Sequence, residues 1–286
     1  MRILNDKKIL SVLRCPICGS EMSICQNGGA SMVCGGPRTH CFDLSSSGYV
    51  NLCAPKQSGG GDSKQAVRAR SEFLDMEYYR PVADALCDTV NEYCDKGSVV
   101  LDAGCGEGYY SLFPARNGFS VLGADLSKFA VEAASKRASR ESLENTFFTT
   151  ASVFELPVND SSVGAIINIF APCAEPEFSR AMKDDGLLIV AWAGERHLMG
   201  LKQTIYNTAH INSERADLPK SMEVLHERRV SYTIDVDSNE SIMSLFAMTP
   251  YYWRTSQTDG EKLKDLSSLT TEVDIIISVY RNNKSN

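Results

Sequence analysis

Cys15 and Cys18 form a Cys-x2-Cys pair; fifteen residues separate Cys18 from Cys34, and five separate Cys34 from His40. Three thiolates and an imidazole at this spacing suit a tetrahedral zinc ion gripped by two knuckles, with Pro16, Gly19, Gly35 and Gly36 supplying the tight turns. Four protein ligands close the coordination sphere, so such an ion is structural. Cys41 competes with His40 for the fourth place and Cys25 is a more distant candidate; His40 is favoured. A second group begins at Val99, where the apolar run Val99-Val100-Leu101 leads through Asp102-Ala103 into Gly104-Cys105-Gly106-Glu107-Gly108. A strand that feeds a glycine-rich turn at the start of a helix brings backbone close to a ligand. Asp102 lies beneath that turn, where a carboxylate can orient backbone amides or meet an ammonium group. Asp125 ends the next apolar run, 23 residues later, where an acceptor can take both hydroxyls of a ribose. A charge-assisted bond of this kind is worth ~1.5 to 3 kcal/mol. Asp125 or Ser127 could instead cap the helix that follows.

These side chains need a scaffold. From Ser98 onward, short apolar runs alternate with helical stretches, the pattern of a parallel sheet covered by helices on both faces. Strands are predicted near 98–103, 119–125, 147–150, 163–170 and 187–193, and helices near 107–117, 127–139 and 174–183. Pro114 should shorten or kink the first of these helices. Two further β-rich runs, 229–236 and 273–280, would close the sheet with an antiparallel, hairpin-like end. Residues 64–94 read as helical from the spacing of Val67, Phe73, Leu74, Val82, Leu86 and Val90, with Pro81 opening a second helix. Before them, Ser58 to Ser63 contains three consecutive glycines and little to bury, so a flexible linker is expected there. Residues 1–50 lack long apolar periods, as befits a region where a metal replaces a core. The expected organisation is a zinc-binding domain over 1–55, a linker and helical lid over 56–94, and an α/β domain over 95–286.

At 286 residues, 43% hydrophobic and 23% charged, the chain has the composition of a soluble globular protein. Its longest nearly apolar stretch, from Val163 to Ala174, is too short to span a bilayer, and no secretory signal opens the sequence. A cytoplasmic protein with no membrane partner is therefore expected, and metal ligation explains the first of the ten cysteines better than disulfides do. The net charge of -7 argues against nucleic-acid binding over the whole surface. Residues 1–70, however, hold nine Lys or Arg against four Asp or Glu, a balance of +5 that leaves -12 for the remainder. An RNA partner would meet the N-terminal part.

The form Asp-x-Gly-x-Gly-x-Gly at 102–108 resembles the first motif of class I methyltransferases, whose glycines make room for the methionine part and ribose of S-adenosylmethionine. That resemblance implies a Rossmann-like α/β fold, places Gly104 and Gly106 in the cofactor site with Asp102 and Asp125, and puts Ala151 and Ser152 near the adenine. A closer resemblance covers nearly the whole chain. The Cys-x2-Cys, Cys, His series is followed by Phe42-Asp43, Gly48-Tyr49-Val50-Asn51-Leu52 and Tyr79-Arg80-Pro81. Beyond the glycine loop come Phe170-Ala171-Pro172-Cys173, Arg196-His197-Leu198-Met199 and Met248-Thr249-Pro250. Together they are similar to the 23S rRNA (guanine-N1)-methyltransferase family.

The resemblance implies that Tyr79, Gly106, Glu107 and His197 line the cofactor site, that the zinc domain helps recognise a 23S rRNA hairpin, and that a homodimer is the expected assembly. Relative to the family, two extra residues stand between Cys34 and His40, which keeps the Cys41 alternative open. By its position, Tyr79 could fold over the cofactor as part of a lid, and a neutral His197 could bond the cofactor's carboxylate end. Phe170, after the fourth strand, is a candidate stacking platform for an extruded base, although its position also suits a core residue. No proton acceptor is legible. Two rival readings exist. Pro172-Cys173 resembles the Pro-Cys motif of RNA cytosine-C5 methyltransferases, whose cysteine adds to the base, but Leu187 to Glu195 lacks the second cysteine those RNA enzymes usually carry. A non-catalytic zinc-dependent RNA-binding protein is the other, and the intact glycine loop and Asp125 argue against it.

Overall fold

A computed structural model describes residues 4–25, 30–53, 60–213 and 218–283. Of the predicted linker, Ser58 and Gly59 lie outside the described residues. The N-terminal part opens with helix α1 (Lys7–Val12), capped by Asp6, whose carboxylate accepts from the amides of Lys8 and Ile9. Strands β1 (Met22–Cys25), β2 (Ser31–Cys34) and β3 (Cys41–Asp43) form a small antiparallel sheet, and β4 (Val50–Asn51) follows. The predicted helical stretch over 64–94 resolves into α2 (Lys64–Asp75), capped by Ser63, and α3 (Arg80–Tyr93), with Pro81 in its first turn.

The rest of the chain alternates as its apolar pattern predicts. In order come β5 (Val99–Ala103), α4 (Leu112–Arg116), β6 (Ser120–Asp125), α5 (Lys128–Arg140), β7 (Thr146–Thr150), β8 (Val163–Ile169), α6 (Glu175–Ala181) and β9 (Met182–Ala193). They are followed by α7 (Met199–Ile205), β10 (Glu223–Val236), α8 (Asn239–Ala247), α9 (Tyr251–Arg254), α10 (Gln257–Glu261) and β11 (Leu269–Arg281). The main sheet has the order β10-β11-β9-β8-β5-β6-β7-β4, with parallel pairing from β9 to β4 and antiparallel pairing of β11 with both β9 and β10. The antiparallel end is thus the expected one. Order reverses at β5, whose neighbours are β6 and β8, and this switch point is where open α/β sheets place ligands, beyond the carboxyl ends of the strands.

Alternation along the strands divides the interior between two faces. Val100, Val121 and Ile167 pack with Phe73, Leu86 and Leu245 on one side. Leu101, Leu122 and Ile166 pack with Ile9, Val12 and Phe178 on the other. The helix predicted over 107–117 is shorter than expected, because Gly106 and Gly108 hold positive φ and residues 106–111 remain in turns. β9 begins five residues before the predicted 187, and neither α1 nor β4 was foreseen. Both are too short to show a period.

Packing runs across the expected boundary near residue 55. β4 pairs in parallel with β7, setting Val50 against Thr149 and Asn51 against Thr150. Ser120 donates to Asp6 at 2.6 Å, Leu13 bridges to Val158, and Arg14 pairs with Asp160 at 3.0 Å. Ile9, Leu13 and Cys15 lie in one apolar cluster with Leu101 and Leu122 of the main sheet. The Cys/His region is therefore seated against the sheet at both of its ends.

Candidate cofactor cradle and metal cluster

Asp102 ends the buried strand β5, where its carboxylate is 1% exposed. One oxygen, Oδ2, accepts from the Ser111 hydroxyl at 2.5 Å, while Oδ1 has no hydrogen-bond partner among the described residues. Burial is the main reason its pKa rises to about 7, with the nearby Asp125 and Glu107 charges adding to the rise and Ser111 opposing it. Glu107 is equally buried, and its Oε2 also lacks a hydrogen bond. Thr150, paired in register with Asp125 at the end of β7, leaves its hydroxyl unpartnered as well. Buried polar atoms are rarely left so in a finished structure. Three of them around one glycine turn fit a polar ligand that supplies the partners.

The turn itself has room for one. Gly104 and Gly106 adopt φ of +88° and +54°. A side chain on Gly104 would collide with Ala171, whereas one on Gly106 would meet only the Arg70 guanidinium, 3.6 Å away. Backbone is open to a ligand on the Gly106 side. Asp125 accepts from the Gly106 amide at 3.0 Å through Oδ2 and from the Ser127 amide at 2.8 Å through Oδ1. The cap of α5 is Ser127, whose hydroxyl accepts from Ala130. Helix capping thus does not account for Asp125, which instead ties the glycine turn to the end of β6. Ala151 donates to the Asp125 carbonyl at 3.0 Å, which sets Ser152 beside the same strand end, where its hydroxyl accepts from Phe154 at 3.2 Å.

Tyr79 and His197 are 118 residues apart in sequence and meet in the core, Tyr79 Oη lying 3.3 Å from His197 Nε2. His197 Nδ1 accepts from the backbone amide of Asp274 at 3.2 Å. Burial lowers the His197 pKa to about 4, so the ring is neutral, and because Nδ1 accepts, its single proton sits on Nε2. Nε2 therefore donates to Tyr79. Burial also raises the Tyr79 phenol well above its ordinary value, which leaves its own O–H free to donate elsewhere. Both side chains are buried, Tyr79 at 2% and His197 at 7% exposure, so the pair is a polar contact set within the core. Asp274 is fixed in turn by two bonds from Arg229, at 2.7 and 2.8 Å.

Phe170 caps this arrangement. Its ring stacks on His197 at 6.0 Å with planes 16° apart, it is 47% exposed, and its backbone holds φ +52°. An aromatic residue in the left-handed region is strained, and such strain persists where surroundings fix it. Here the buried Asn168 donates to the carbonyls of Ala103 and Pro172, at 2.9 and 3.2 Å, pinning the loop. A core role for Phe170 is thus set aside by its exposure. Cys173, by contrast, packs partly buried against the core that includes Ala174 and Phe178.

The sulfur and nitrogen atoms of Cys15, Cys18, Cys34 and His40 all lie within 4.8 Å of one another. Cys18 and Cys34 sulfurs are 3.7 Å apart, and His40 Nδ1 is 3.5 Å from Cys15 and 3.4 Å from Cys34. A tetrahedral zinc with bonds of about 2.3 Å to sulfur and about 2.0 Å to nitrogen requires edges of roughly 3.5 to 3.8 Å. The donor set fits. Neither Cys41 nor Cys25 belongs to the group, because Cys41 starts β3 as an exposed residue while His40 lies in the preceding loop. Ser20 holds the exposed Cys18 thiol down at about 6 through its hydroxyl and amide.

Residue-level reasoning missed four side chains that build the site: Ser111, Asn168, Asp274 and Arg70. Arg70 alone left a signal, a charge on the helical face shared with Val67 and Leu74.

The doubly covered parallel sheet, its glycine turn at the switch point and the acidic end of β6 define a class I S-adenosylmethionine-dependent methyltransferase, and the family model described as a methyltransferase domain matches residues 100–184. The chain belongs to the 23S rRNA (guanine-N1)-methyltransferase family. It is 31% identical to YxjB of Bacillus subtilis (strain 168), provisionally named as such an enzyme, over 94% of this chain and 97% of that one. It is 26% identical to the 23S rRNA (guanine(748)-N1)-methyltransferase of Streptomyces fradiae, over 96% of each chain.

Proposed function

We propose that this protein transfers the methyl group of S-adenosylmethionine to N1 of a guanine in a 23S rRNA hairpin. The observation that carries the reading is the presence, in a chain aligned to its relatives almost end to end, of a cofactor cradle with unsatisfied buried polar atoms and a separate Cys3His cluster. When bound, the cofactor supplies a methyl carbon already activated by its sulfonium. The chain's own task is placement. Gly104 and Gly106 let backbone approach the cofactor, Asp125 accepts from the ribose hydroxyls, Asp102 and Glu107 face its polar end, Ser152 borders the adenine, and Tyr79, held by His197, donates to its carboxylate end. Phe170 offers an exposed ring on which an extruded guanine can stack. Orientation of this kind can lower a barrier by ~7 to 11 kcal/mol. His197 is a poor acceptor for the N1 proton, since burial lowers its basicity and its Nδ1 lone pair already accepts from the Asp274 amide; a carboxylate or water takes that part.

Residues 1–55 would form the RNA-recognition domain, in which Cys15, Cys18, Cys34 and His40 hold a structural zinc. Residues 56–94 would serve as linker and lid, and residues 95–286 as the catalytic domain. The positive balance of the first 70 residues supports RNA contact there. No helix among the described residues is long and apolar enough to cross a membrane, in keeping with a cytoplasmic enzyme, which we take to act as a homodimer. In a deletion strain, mass spectrometry of digested 23S rRNA should find one 1-methylguanine missing, restored by the wild-type gene and not by one encoding Asp125→Ala. An unchanged methylguanine inventory would overturn the proposal.

A further inference from the structure

The segment expected to be a flexible linker ends as a strap over the cradle. Gly61 holds φ +82°, and a side chain there would meet the Ser127 backbone nitrogen at 2.7 Å. Ser127 in turn donates through its hydroxyl to the Asp62 carbonyl at 2.7 Å. Residues 60–63 therefore lie directly on the end of β6, next to Asp125. From the first turns of α2, Arg70 reaches back into this place. Its Nη2 pairs with Asp62 at 2.5 Å, and its Nη1 stands 3.8 Å from the orphaned Glu107 Oε2. Roughly three-quarters of its side chain is covered, at 26% exposure.

We propose that Arg70 is a positioning residue for the methyl donor: anchored by Asp62 on the strap, it holds the Glu107 carboxylate as an acceptor beside the open face of the Gly106 turn. The inference rests on the reading of this site as the S-adenosylmethionine cradle. Three buried carboxylates, Asp102, Glu107 and Asp125, lie close together, where burial first and mutual repulsion second favour protonation. Arg70 opposes that at Glu107 and Asp125, with Arg137 assisting at Glu107. Its planar fork presents one nitrogen to Asp62 and the other toward Glu107.

The test is calorimetric binding of S-adenosylmethionine to the full chain across about pH 6.5 to 8.5, for wild type, Arg70→Met, Arg70→Lys and Asp62→Asn, with thermal melting as a fold control. Arg70→Met should weaken binding at least about tenfold at the acid end, and its ratio to wild type should narrow several-fold toward the alkaline end, where Glu107 ionises without help. Arg70→Lys, which keeps the charge, should recover much of the affinity with a ratio independent of pH. Asp62→Asn should lose a smaller factor. A ratio near one for Arg70→Met at every pH overturns the proposal. So does a pH-independent loss that tracks melting temperature equally in the Met and Lys variants, since that describes packing alone. Wild-type protein that fails to bind S-adenosylmethionine would instead remove the underlying reading of the cradle.

Discussion

Asp125 does two things at once. It braces the glycine turn and the start of α5, one oxygen accepting from the Gly106 amide and the other from the Ser127 amide, and each oxygen keeps a second lone pair at the end of β6. Asp125→Ala should therefore weaken S-adenosylmethionine binding at least about tenfold by calorimetry; an unchanged affinity would mean that the ribose is held elsewhere. Asp102 makes a prediction about pH. Its folded pKa, about 7, lies above the unfolded carboxyl value, so the folded state binds the proton more tightly. The stabilisation this gives is full below the unfolded value of about 3.9 and is lost as pH rises through about 7. Compared at equal pH, Asp102→Asn should gain stability relative to wild type between about pH 5 and pH 8, read from urea midpoints. A difference that stays constant over that range would show Asp102 to be ionised throughout.

The glycine turn, Asp102, Asp125 and the Cys3His set were legible in sequence because each is a local pattern of fixed spacing. Tyr79 and His197 were not, since their meeting is purely tertiary, and only the family resemblance pointed to them. Of the expected linker, residues 60–63 carry a contact that their composition does not reveal. Consecutive glycines read as freedom, yet Gly61 is needed because the strap runs against the Ser127 backbone.

Among the elements, strands β5 to β9 fell close to the predicted positions, since strands buried on both faces are written as continuous apolar runs. Boundaries failed where turn geometry overrode the pattern, as at α4, or where an element was too short to have a period, as with α1 and β4. Helix α2 has a larger part than the word lid suggests. Its Phe73 is fully buried, stacks on Tyr78 with centroids 5.1 Å apart and meets Tyr79 edge-on at 5.8 Å. Phe73→Ala should cost ~3 to 5 kcal/mol by denaturant unfolding and should loosen Tyr79 against His197. A loss under ~1 kcal/mol would mean that α2 is not packed as described.

At the scale of the whole molecule, a positively charged N-terminal region is seated on an acidic body. If the Cys3His cluster holds zinc for the sake of RNA recognition, Cys15→Ser should release about one zinc per chain and impair binding of 23S rRNA. S-adenosylmethionine should still bind, because the cradle draws no residue from the cluster. Metal analysis of protein prepared without chelators decides the first point and calorimetry the second; a variant that keeps its zinc, or loses the cofactor with it, contradicts this division of labour.

The methylated product distinguishes transfer to guanine N1 from transfer to cytosine C5. Guanine N1 is itself nucleophilic once its proton leaves, whereas cytosine C5 becomes so only after a cysteine adds to the ring. Cys173 is partly buried against the cluster that holds Ala174 and Phe178, and a thiol that only packs there should be dispensable for transfer. Purified wild-type and Cys173→Ala proteins should be incubated with 23S rRNA and S-adenosylmethionine at a temperature where both are folded, and the digested RNA identified by mass spectrometry. Both proteins should yield 1-methylguanine, at rates within about tenfold of each other. A wild-type product of 5-methylcytosine, or loss of more than about a thousandfold in the folded, cofactor-binding variant, would contradict transfer to guanine N1.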